Sequence, residues 1–322
     1  IVPNLGATRP EAMAFYSPDR AMDQVLVDLV RALEQDGRPG LAEQLSITWL
    51  RYPQSQLDRA AQLDAPSFWA LPRAGASWRG EALRYPASVV KLVYLVAVEA
   101  WLQRDLLSDE PELRRALAAM VQHSSNNATE YVLDRLSGTT GGPALAPPAM
   151  EAWIEQRQLV NRWLQQLGWL ELTGWNACQK TWDDGPYGRE RQFYGVNNAN
   201  INRLSSDGVA RLLQAVIAAA VVSPPACARM RQLLSRSLDA DARAADPENQ
   251  VDGFLGEGLP AGARLWSKAG WMSRARHDAA YIECDGCAPT LLVVLAEGAP
   301  CARDTRLLPE IASRLLRARL DG

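Results

Sequence analysis

The sequence predicts an α/β protein of the α+β type, in which an antiparallel sheet is flanked by N- and C-terminal helices and carries an inserted all-helical lobe. Three observations indicate this fold class. One strand pattern precedes a long helical middle, three strand patterns follow it, and an amphipathic helix pattern stands near each end. We therefore expect residues 21–84 and 221–322 to form the sheet domain and residues 85–220 to form the helical lobe, packed as one unit.

The first part of the chain predicts a helix followed by a strand. Apolar residues between Ala21 and Leu33 are spaced for one helical face, and a Gly-Arg-Pro-Gly segment ends the pattern. Residues 45–52 alternate apolar and polar side chains and stop at a proline, which is typical of a strand. A further short strand is expected near residues 77–79.

Helical patterns dominate the middle of the chain. They cover residues 89–102, 111–121, 128–136, 150–167, 205–220 and 226–238. Between Gly168 and Asn202 the chain is rich in Gly, Asn, Trp and Asp and shows no sustained period. A loop of this length often lines a functional site.

The last third predicts three strands and a terminal helix. The strand patterns cover residues 263–271, 278–283 and 290–296, and the helix covers residues 307–320. An Asp-Gly pair between Cys284 and Cys287 is a strong hairpin signal. We interpret both cysteines as hairpin ends rather than a zinc or redox pair, because a second ligand pair is missing. A cross-turn disulfide stays open as an alternative.

Composition and charge argue against several classes of function. A net charge of −3 and a pI near 5.6 give no electrostatic basis for binding nucleic acid or an anionic membrane. No apolar run approaches the roughly 20 residues that a transmembrane helix needs. Five cysteines are too few for a disulfide framework in a chain of 322 residues. The chain opens at Ile1, which we interpret as a processed or trimmed end.

Ser88 and Lys91 stand at the start of a helix that is apolar on every side. Such a helix belongs in the middle of a core, and residues three apart share one face of its first turn. Burial and the positive end of the helix dipole both disfavour a protonated lysine there. A neutral amine beside a hydroxyl can act as its base. The alternative is a serine that only caps the helix and a lysine whose amine is solvated.

A second polar cluster, residues 122–128, connects two helical patterns. Small polar residues at such a place commonly form a cap and a turn. The functional interpretation is that Ser124 and Asn126 direct a hydroxyl and an amide into a cleft. A third short motif, Lys268-Ala-Gly270, ends the strand pattern that precedes the hairpin.

Taken in order, the segments Ser88-Val-Val-Lys91, Ser124-Ser-Asn126 and Lys268-Ala-Gly resemble the three active-site motifs of class A β-lactamases and penicillin-binding proteins. The resemblance covers roughly residues 45–320 by element order. It implies a β-lactamase/transpeptidase-like fold. The third motif, followed by His277-Asp278 at the start of the next strand, resembles the pattern in β-lactamase-like serine hydrolases of this superfamily. Periplasmic or secreted location is what the resemblance favours.

The resemblance also implies a role for each motif residue. Ser88 would attack a carbonyl carbon, Lys91 would take its proton, and Ser124 with Lys268 would relay a proton to the leaving nitrogen. Asn126 would bind a substrate amide. The backbone N–H groups of Ser88 and of Trp271, just past Gly270, would bind the oxyanion. We expect a monomer that uses no cofactor or metal and acts on a small-molecule or peptidoglycan-like acyl substrate.

The sequence departs from the family pattern in its third motif. Ala269 stands where the family usually has Thr or Ser, whose hydroxyl helps to hold the substrate carboxylate. Arg274 and Arg276 could replace that contact, although as flexible loop arginines they would more often be solvated. Trp271 is bulky at a strand edge that should admit substrate.

The base that would clear the acyl-enzyme has more than one candidate in the sequence. Class A enzymes use a glutamate in a loop after the helical lobe. One alignment places Gln179 there, which cannot accept a proton, and another places Asp183 there, while Asp184 and Glu190 lie close by. Solvated loop acids are the alternative interpretation.

Three functions follow from these observations. The first is an active-serine acyl hydrolase similar to class A β-lactamases, which hydrolyses a β-lactam or a related cyclic or linear amide. The second is a D,D-peptidase or esterase on the same scaffold, favoured by Ala269 and by the absence of a clear glutamate. The third is a penicillin-binding or sensor protein that is acylated without turnover.

Overall fold

A computed structural model describes residues 15–320, and the chain start at Ile1 lies outside this range. Seven strands form one sheet in the order β1-β3-β2-β7-β6-β5-β4. The strands are β1 Ser17–Pro18, β2 Leu45–Arg51, β3 Ala74–Trp78, β4 Ser235–Arg236, β5 Arg264–Met272, β6 Ala275–Glu283 and β7 Thr290–Glu297.

The early and late parts of the chain share this sheet, as the sequence predicts. Strand β2 pairs antiparallel with β7, with Trp49 opposite Leu292, and β5, β6 and β7 form an antiparallel meander. The short β1–β3 pair is parallel and is the exception among the described pairs. The α/β fold class with a mostly antiparallel sheet between helices is therefore confirmed.

Fourteen α-helices surround the sheet within residues 15–320. They are α1 Arg20–Gln35, α2 Leu41–Gln44, α3 Ala65–Trp69, α4 Val90–Gln103, α5 Pro111–Gln122, α6 Asn126–Ser137, α7 Pro147–Arg157, α8 Leu159–Gln166, α9 Gly188–Tyr194, α10 Ser206–Ile217, α11 Pro224–Leu234, α12 Ala240–Ala244, α13 Ala299–Arg303 and α14 Leu307–Leu316.

Several sequence-based boundaries were wrong by a few residues, including the helix ends expected at 220 and 320 and the strand start expected at 278. Three others have a visible structural reason. The single helix expected over residues 150–167 breaks at Gln158, whose ψ of 2° leaves the helical region. The helix expected to reach residue 238 stops at Leu234, because Ser235 and Arg236 pair with β5. The strand expected near residues 77–79 ends at Trp78, because Arg79 turns away with φ of 50°.

The strands of the sheet bury apolar side chains on both faces. In β7, Leu291, Val293 and Leu295 join the core on the helical-lobe side. Their neighbours Leu292 and Val294 join the core under α1 and α14. This division follows from the two-residue period of a strand, and each fully buried Val or Leu side chain contributes roughly 1.5–3 kcal/mol.

Helix α4 lies inside the core on the helical-lobe side. All of its residues from Val90 to Trp101 are buried, including Lys91 and Glu99. Glu99 is paired with Arg114 and Arg229, which balances its charge. Helix α4 is therefore the central helix that its apolar sequence predicts, and its first turn is held rigidly by packing.

The turn between β6 and β7 is the expected hairpin. The backbone N–H of Cys287 donates to the carbonyl of Cys284 at 3.2 Å, and all five cysteines are free thiols. No helix between residues 15 and 320 has the length and apolar character needed to cross a membrane.

Candidate active site

Three backbone segments meet at one end of α4. The first is a 3₁₀ segment, Ala87–Val89, which leads into α4; the second is the connection between α5 and α6; the third is the end of β5. Ala87 and Ser124 have positive φ values of 45° and 54°. Non-glycine residues rarely adopt this left-handed region, and such strain concentrates at functional sites.

Glycine is required where β5 passes the 3₁₀ segment. A Cβ atom on Gly270 would lie 2.9 Å from the backbone nitrogen of Ser88 and 3.0 Å from that of Val89. Real Cβ contacts are longer than this, so any side chain would push the strand away. Gly270 thus allows the β5 backbone to lie directly against the start of α4.

Ser124 lies between two lysine amines. Its Oγ is 3.2 Å from Nζ of Lys91 and 3.1 Å from Nζ of Lys268. The Lys91 amine also donates to Oδ1 of Asn126 at 2.8 Å and to the backbone carbonyl of Ser124. The Lys268 amine donates to the carbonyl of Ala269 at 2.7 Å and to Oε1 of Gln250. A single hydroxyl can therefore exchange a hydrogen bond with either amine.

Both amines are placed where the neutral form is favoured. Burial lowers the pKa of Lys91 to about 7, although Asp183 opposes this shift. Burial also lowers the pKa of Lys268 well below 10.5, and the positive charges of Lys91 and Arg236 add to the effect. Neither lysine side chain is solvated, since both residues are 0% exposed. Lys91 is thus available as a proton acceptor near neutral pH.

Ser88 faces a cavity of about 380 Å³ that opens to solvent. Ser124, Asn126, Gly270 and Trp271 line the same cavity. Ser88 is not the capping residue of α4, which begins after Val89 without a side-chain cap. Its hydroxyl is consequently not committed to holding the helix, and the cavity brings it together with the second and third motifs.

The long loop after residue 167 places Asp183 at the site and Gln179 away from it. Asn126 Nδ2 donates to Oδ1 of Asp183 at 2.7 Å, so one amide links Asp183 to Lys91. Gln179 is buried, and its Nε2 donates to the carbonyl of Asn200 at 2.8 Å. Of the two loop residues considered as the deacylating base, Asp183 is the one that contacts the motif residues.

The loop that carries Asp183 is fixed by buried ion pairs. Lys180 Nζ lies 2.8 Å from Oδ2 of Asp134 and 3.4 Å from Oε1 of Glu190, and Arg157 pairs with the same Glu190 oxygen at 2.7 Å. Glu190 is therefore committed to the loop rather than to the cavity. Lys180 was missed in the sequence interpretation, yet the chain has only three lysines, Lys91, Lys180 and Lys268, and all three are buried.

Arg276 differs from its sequence-based interpretation as a flexible loop arginine. It lies in β6, is buried, and donates to the carbonyls of Ala302 at 3.1 Å and Gly253 at 3.2 Å. Its guanidinium covers the Phe254 ring and lines the Ser88 cavity. Arg274 is exposed in the turn before β6. Burial makes Arg276 a fixed positive charge at the cavity wall.

Trp271 is partly held against the protein. Its indole Nε1 donates to the carbonyl of Ala302 at 2.9 Å, and the side chain is 55% exposed. The ring therefore forms part of the cavity edge with a defined orientation.

Two further buried residues stand behind the third motif. His277 Nε2 lies 2.8 Å from the carbonyl of Tyr85, and its Nδ1 accepts from the backbone N–H of Ala296 at 2.9 Å. Burial lowers the pKa of His277 to about 4 and raises that of Asp278 to about 7. The histidine is neutral near pH 7 and ties β6 to the segment before Ser88.

No group of three or more His, Cys, Asp or Glu side chains within residues 15–320 is arranged to hold a metal ion. The reactive groups at the cavity among the described residues are the Ser88 and Ser124 hydroxyls, the two lysine amines and the Asp183 carboxylate.

Comparisons with known proteins identify the family of the chain. Residues 101–318 match the Beta-lactamase enzyme family. A sequence comparison with curated proteins found no match.

Solved structures of similar fold cover nearly the whole chain. A PBP-A mutant in acyl-enzyme complex with penicillin G is 15% identical, with a TM-score of 0.60 over 94% of this chain and 97% of that chain. TLA-1, an extended-spectrum β-lactamase, is 12% identical, with a TM-score of 0.63 over 92% and 98%. A β-lactamase from Sphaerobacter thermophilus is 14% identical, with a TM-score of 0.58 over 89% and 93%. At these identities the likeness shows the fold, and together with the match over residues 101–318 it establishes that the chain belongs to the beta-lactamase enzyme family.

Proposed function

We propose that this protein is an active-serine acyl hydrolase in which Ser88 forms an acyl-enzyme with a β-lactam or a related cyclic or linear amide. The observation that carries the proposal is the position of Ser124 Oγ between the amines of Lys91 and Lys268, beside a cavity that Ser88 lines. A hydroxyl between two buried amines can accept a proton on one side and donate its own on the other, so the proton does not have to pass through bulk water.

Acylation would begin when Ser88 Oγ attacks the carbonyl carbon and Lys91 takes the hydroxyl proton. The resulting ammonium of Lys91 gives a proton to Ser124 Oγ as Ser124 donates its own proton to the leaving nitrogen. The Lys268 amine lies 3.1 Å from the same oxygen and fixes the position of Ser124 Oγ during this transfer. The carbon–nitrogen bond breaks, an ester to Ser88 remains, and the two lysines end in the protonation states in which they began.

The backbone N–H groups of Ser88 and Trp271 are the proposed oxyanion donors. The close approach of Gly270 to Ser88 N supports this assignment, because it holds the end of β5 beside the first turn of α4. Backbone donors fixed by packing stabilise a developing negative charge without reorganising. Asn126 would direct its amide toward the substrate, as its position in the cavity wall suggests.

Deacylation needs a base for water, and we assign it to Asp183. Its carboxylate contacts Asn126, which in turn contacts Lys91, so it lies on the same polar network as the proposed acylation base. Aspartate is one methylene shorter than glutamate, so the attacking water would have to lie closer to the loop. Gln179 is excluded from this role in the proposal, since it is buried and an amide cannot accept the proton.

A second candidate function is a D,D-peptidase or esterase on the same scaffold. It is favoured by Ala269, which offers no hydroxyl to a substrate carboxylate and is 2% exposed. A penicillin-binding or sensor protein would share the acylation step and lack efficient release. The PBP-A mutant forms an acyl-enzyme with penicillin G on a similar fold, which makes a penicillin a reasonable first probe.

The test measures binding and release of a fluorescent penicillin, together with nitrocefin turnover. We expect covalent labelling of the wild type, no labelling of Ser88→Ala, and rapid release from the wild type. Asp183→Asn should still be labelled but should release the label roughly a hundredfold or more slowly, because a positioned general base contributes about 10²–10⁴-fold. The matched control is Asp184→Asn, an adjacent exposed loop carboxylate, which should release at the wild-type rate.

Persistent label on the wild type would favour the peptidase or sensor alternative. Equal release from wild type and Asp183→Asn would contradict the role given to Asp183. If the wild type is neither labelled nor active on esters, the serine mechanism fails.

A further inference from the structure

Gln250 is a buried side chain that contacts the proposed active site and belongs to none of the three motifs. It lies in the connection between α12 and β5 and is 6% exposed. Its Oε1 accepts from Nζ of Lys268 and, at 3.3 Å, from the backbone N–H of Ala269. A neutral amide thus accepts a hydrogen bond directly from a buried lysine.

The other end of the amide is fixed by the C-terminal end of α5. Gln250 Nε2 donates to the carbonyl of Val121 and to the carbonyl of Gln122, both at 2.9 Å. Carbonyl oxygens can only accept, so the nitrogen must face α5 and the oxygen must face Lys268. The orientation of Gln250 follows from the backbone of α5 and does not depend on the state of the lysine.

The hydrogen-bond partners of Lys268 determine which part of its amine faces Ser124 Oγ. Two of its three neighbours, Gln250 Oε1 and the Ala269 carbonyl, can only accept hydrogen bonds. A neutral amine has two N–H groups and one lone pair, so both N–H groups are used and the lone pair points at Ser124 Oγ, 3.1 Å away. In the ammonium form, the third N–H points there instead.

We propose that Gln250 is a positioning residue that aims the amine of Lys268 at the Ser124 hydroxyl. This inference rests on the proposed function, because it assigns Gln250 to the acylation step. Without the amide oxygen, the Lys268 amine could rotate, so that either an N–H group or the lone pair would face Ser124 Oγ. Gln250 also lines the Ser88 cavity, and the effect specific to its amide oxygen would be a slower proton transfer through Ser124.

An amide suits this position better than a carboxylate. A glutamate at residue 250 would place its negative charge beside the Val121 and Gln122 carbonyls and would favour the ammonium form of Lys268. The other ionisable groups near Lys268 are Lys91, Arg236 and Asp278. Gln250 therefore supplies a hydrogen-bond acceptor without adding a fourth ionisable group.

The experiment compares acylation by a fluorescent penicillin in wild type, Gln250→Met and Gln214→Met. Methionine is about as long as glutamine and removes both the acceptor for Lys268 and the donor to the α5 carbonyls, and the control substitution likewise removes both amide groups. Gln250→Met should lower the limiting rate of acylation roughly tenfold to a hundredfold, the range set by one lost hydrogen bond to a buried polar group. The rate of label release should stay unchanged, since it does not depend on transfer through Ser124.

Gln214→Met is the matched control because Gln214 is also buried and hydrogen bonded, to Tyr52 and Gln56 in the core. It should acylate at the wild-type rate even if its melting temperature falls. Equal slowing in both variants, or slowing in neither, would overturn the role of Gln250. Wild-type protein that is never labelled would contradict the proposed function itself, which is a distinguishable result.

A second measurement follows the titration of Lys268 directly by NMR. Because the chain has only three lysines, ¹³Cε-labelled lysine should give three resolved signals, which Lys→Arg variants would assign. Gln250→Glu should move the titration midpoint of Lys268 upward. An unchanged Lys268 midpoint in Gln250→Glu would overturn the contact, whether or not the protein is labelled by penicillin.

Discussion

At the scale of single residues, the site depends on lysines that are removed from water. All three lysines of the chain are buried, whereas its surface carries arginines. Lysine changes its pKa readily when buried, and two of the three buried lysines contact the same hydroxyl, that of Ser124. Lys91 and Lys268 serve Ser124, and Lys180 holds the loop of Asp183.

The acylation rate should depend on pH through Lys91. Its pKa is about 7, so below pH 7 the amine is protonated and cannot accept the Ser88 proton. We expect the acylation rate to fall about tenfold for each pH unit below 7 and to level off above it, measured by rapid labelling with a fluorescent penicillin. His277 is neutral throughout this range because its pKa is about 4.

Asp278 also has a pKa near 7, raised by burial, and requires a control. In the Asp278→Asn variant the acylation rate should fall below pH 7 in the same way as in the wild type. A fall that disappears in this variant, or a rate that is independent of pH between 5 and 9, would contradict the assignment to Lys91.

Much of the residue-level arrangement could be predicted from the sequence. The three short motifs at Ser88, Ser124 and Lys268 converge on one cavity, as their order suggested. Gln250 could not be predicted, because it lies in a connection without periodicity and its role depends on carbonyls of a distant helix. The choice between Gln179 and Asp183 likewise depends on loop coordinates that no local pattern encodes.

At the scale of elements, the site depends on how closely β5 lies against the start of α4. Gly270 allows this contact, and the backbone of Ala87 and of Ser124 is held in a left-handed conformation on either side. Each strained residue costs on the order of 1–2 kcal/mol, which the packing of α4 offsets. The rigid core on the helical-lobe side therefore maintains the local strain.

Substitution of Gly270 should separate these two elements. In Gly270→Ala the new Cβ would meet the backbone nitrogens of Ser88 and Val89, neither of which can move like a side chain. We expect a loss of about 1–3 kcal/mol in the free energy of unfolding and acylation slowed by roughly a hundredfold or more, since a displaced oxyanion donor costs about 10²–10³-fold. Thermal melts and penicillin labelling measure the two effects.

Gly141→Ala is the control for this prediction. Its new Cβ would make ordinary contacts of 3.8 Å with Glu190. This variant should melt and acylate like the wild type. Normal acylation in Gly270→Ala would show that the close approach of β5 has no part in the chemistry.

The strongly periodic elements were predicted well, and the errors lie where tertiary contacts decide. Helix α4 and the β6–β7 hairpin follow from local patterns. The break at Gln158 does not, because it lets Arg157 on one side and Asn161 on the other reach the long loop, at Glu190 and Asn176. These contacts with the long loop leave no signal in the local sequence pattern.

At the scale of the whole molecule, one sheet separates two cores, and the site occupies the junction between the sheet and the helical lobe. This location removes Lys91 and Lys268 from solvent at a cost to stability. Buried ionisable groups are a known source of conflict between stability and activity. The cost should be visible in the pH dependence of unfolding.

The stability of wild type relative to Lys91→Met should rise between pH 7 and 10.5. In this interval the folded Lys91, with a pKa of about 7, binds fewer protons than the unfolded lysine, with its ordinary pKa of 10.5. The stability is therefore fully present above pH 10.5, is lost as the pH falls from 10.5 to 7 by up to about 1.4 kcal/mol per pH unit, and levels off below 7. Urea unfolding of both proteins at pH 7, 8 and 9 measures the difference, and parallel curves would contradict it.

The most direct measurement is the mass of the acylated peptide. Trypsin should release residues Tyr85 to Lys91 as one peptide, which contains Ser88 and no other serine. After reaction with penicillin G and an acid quench, we predict that this peptide gains the mass of one intact penicillin, and that the fragment ions place it on Ser88. The same peptide from Ser88→Ala should stay unmodified. An adduct on another residue, or no adduct at any stage of the reaction, would contradict the acyl-enzyme at Ser88.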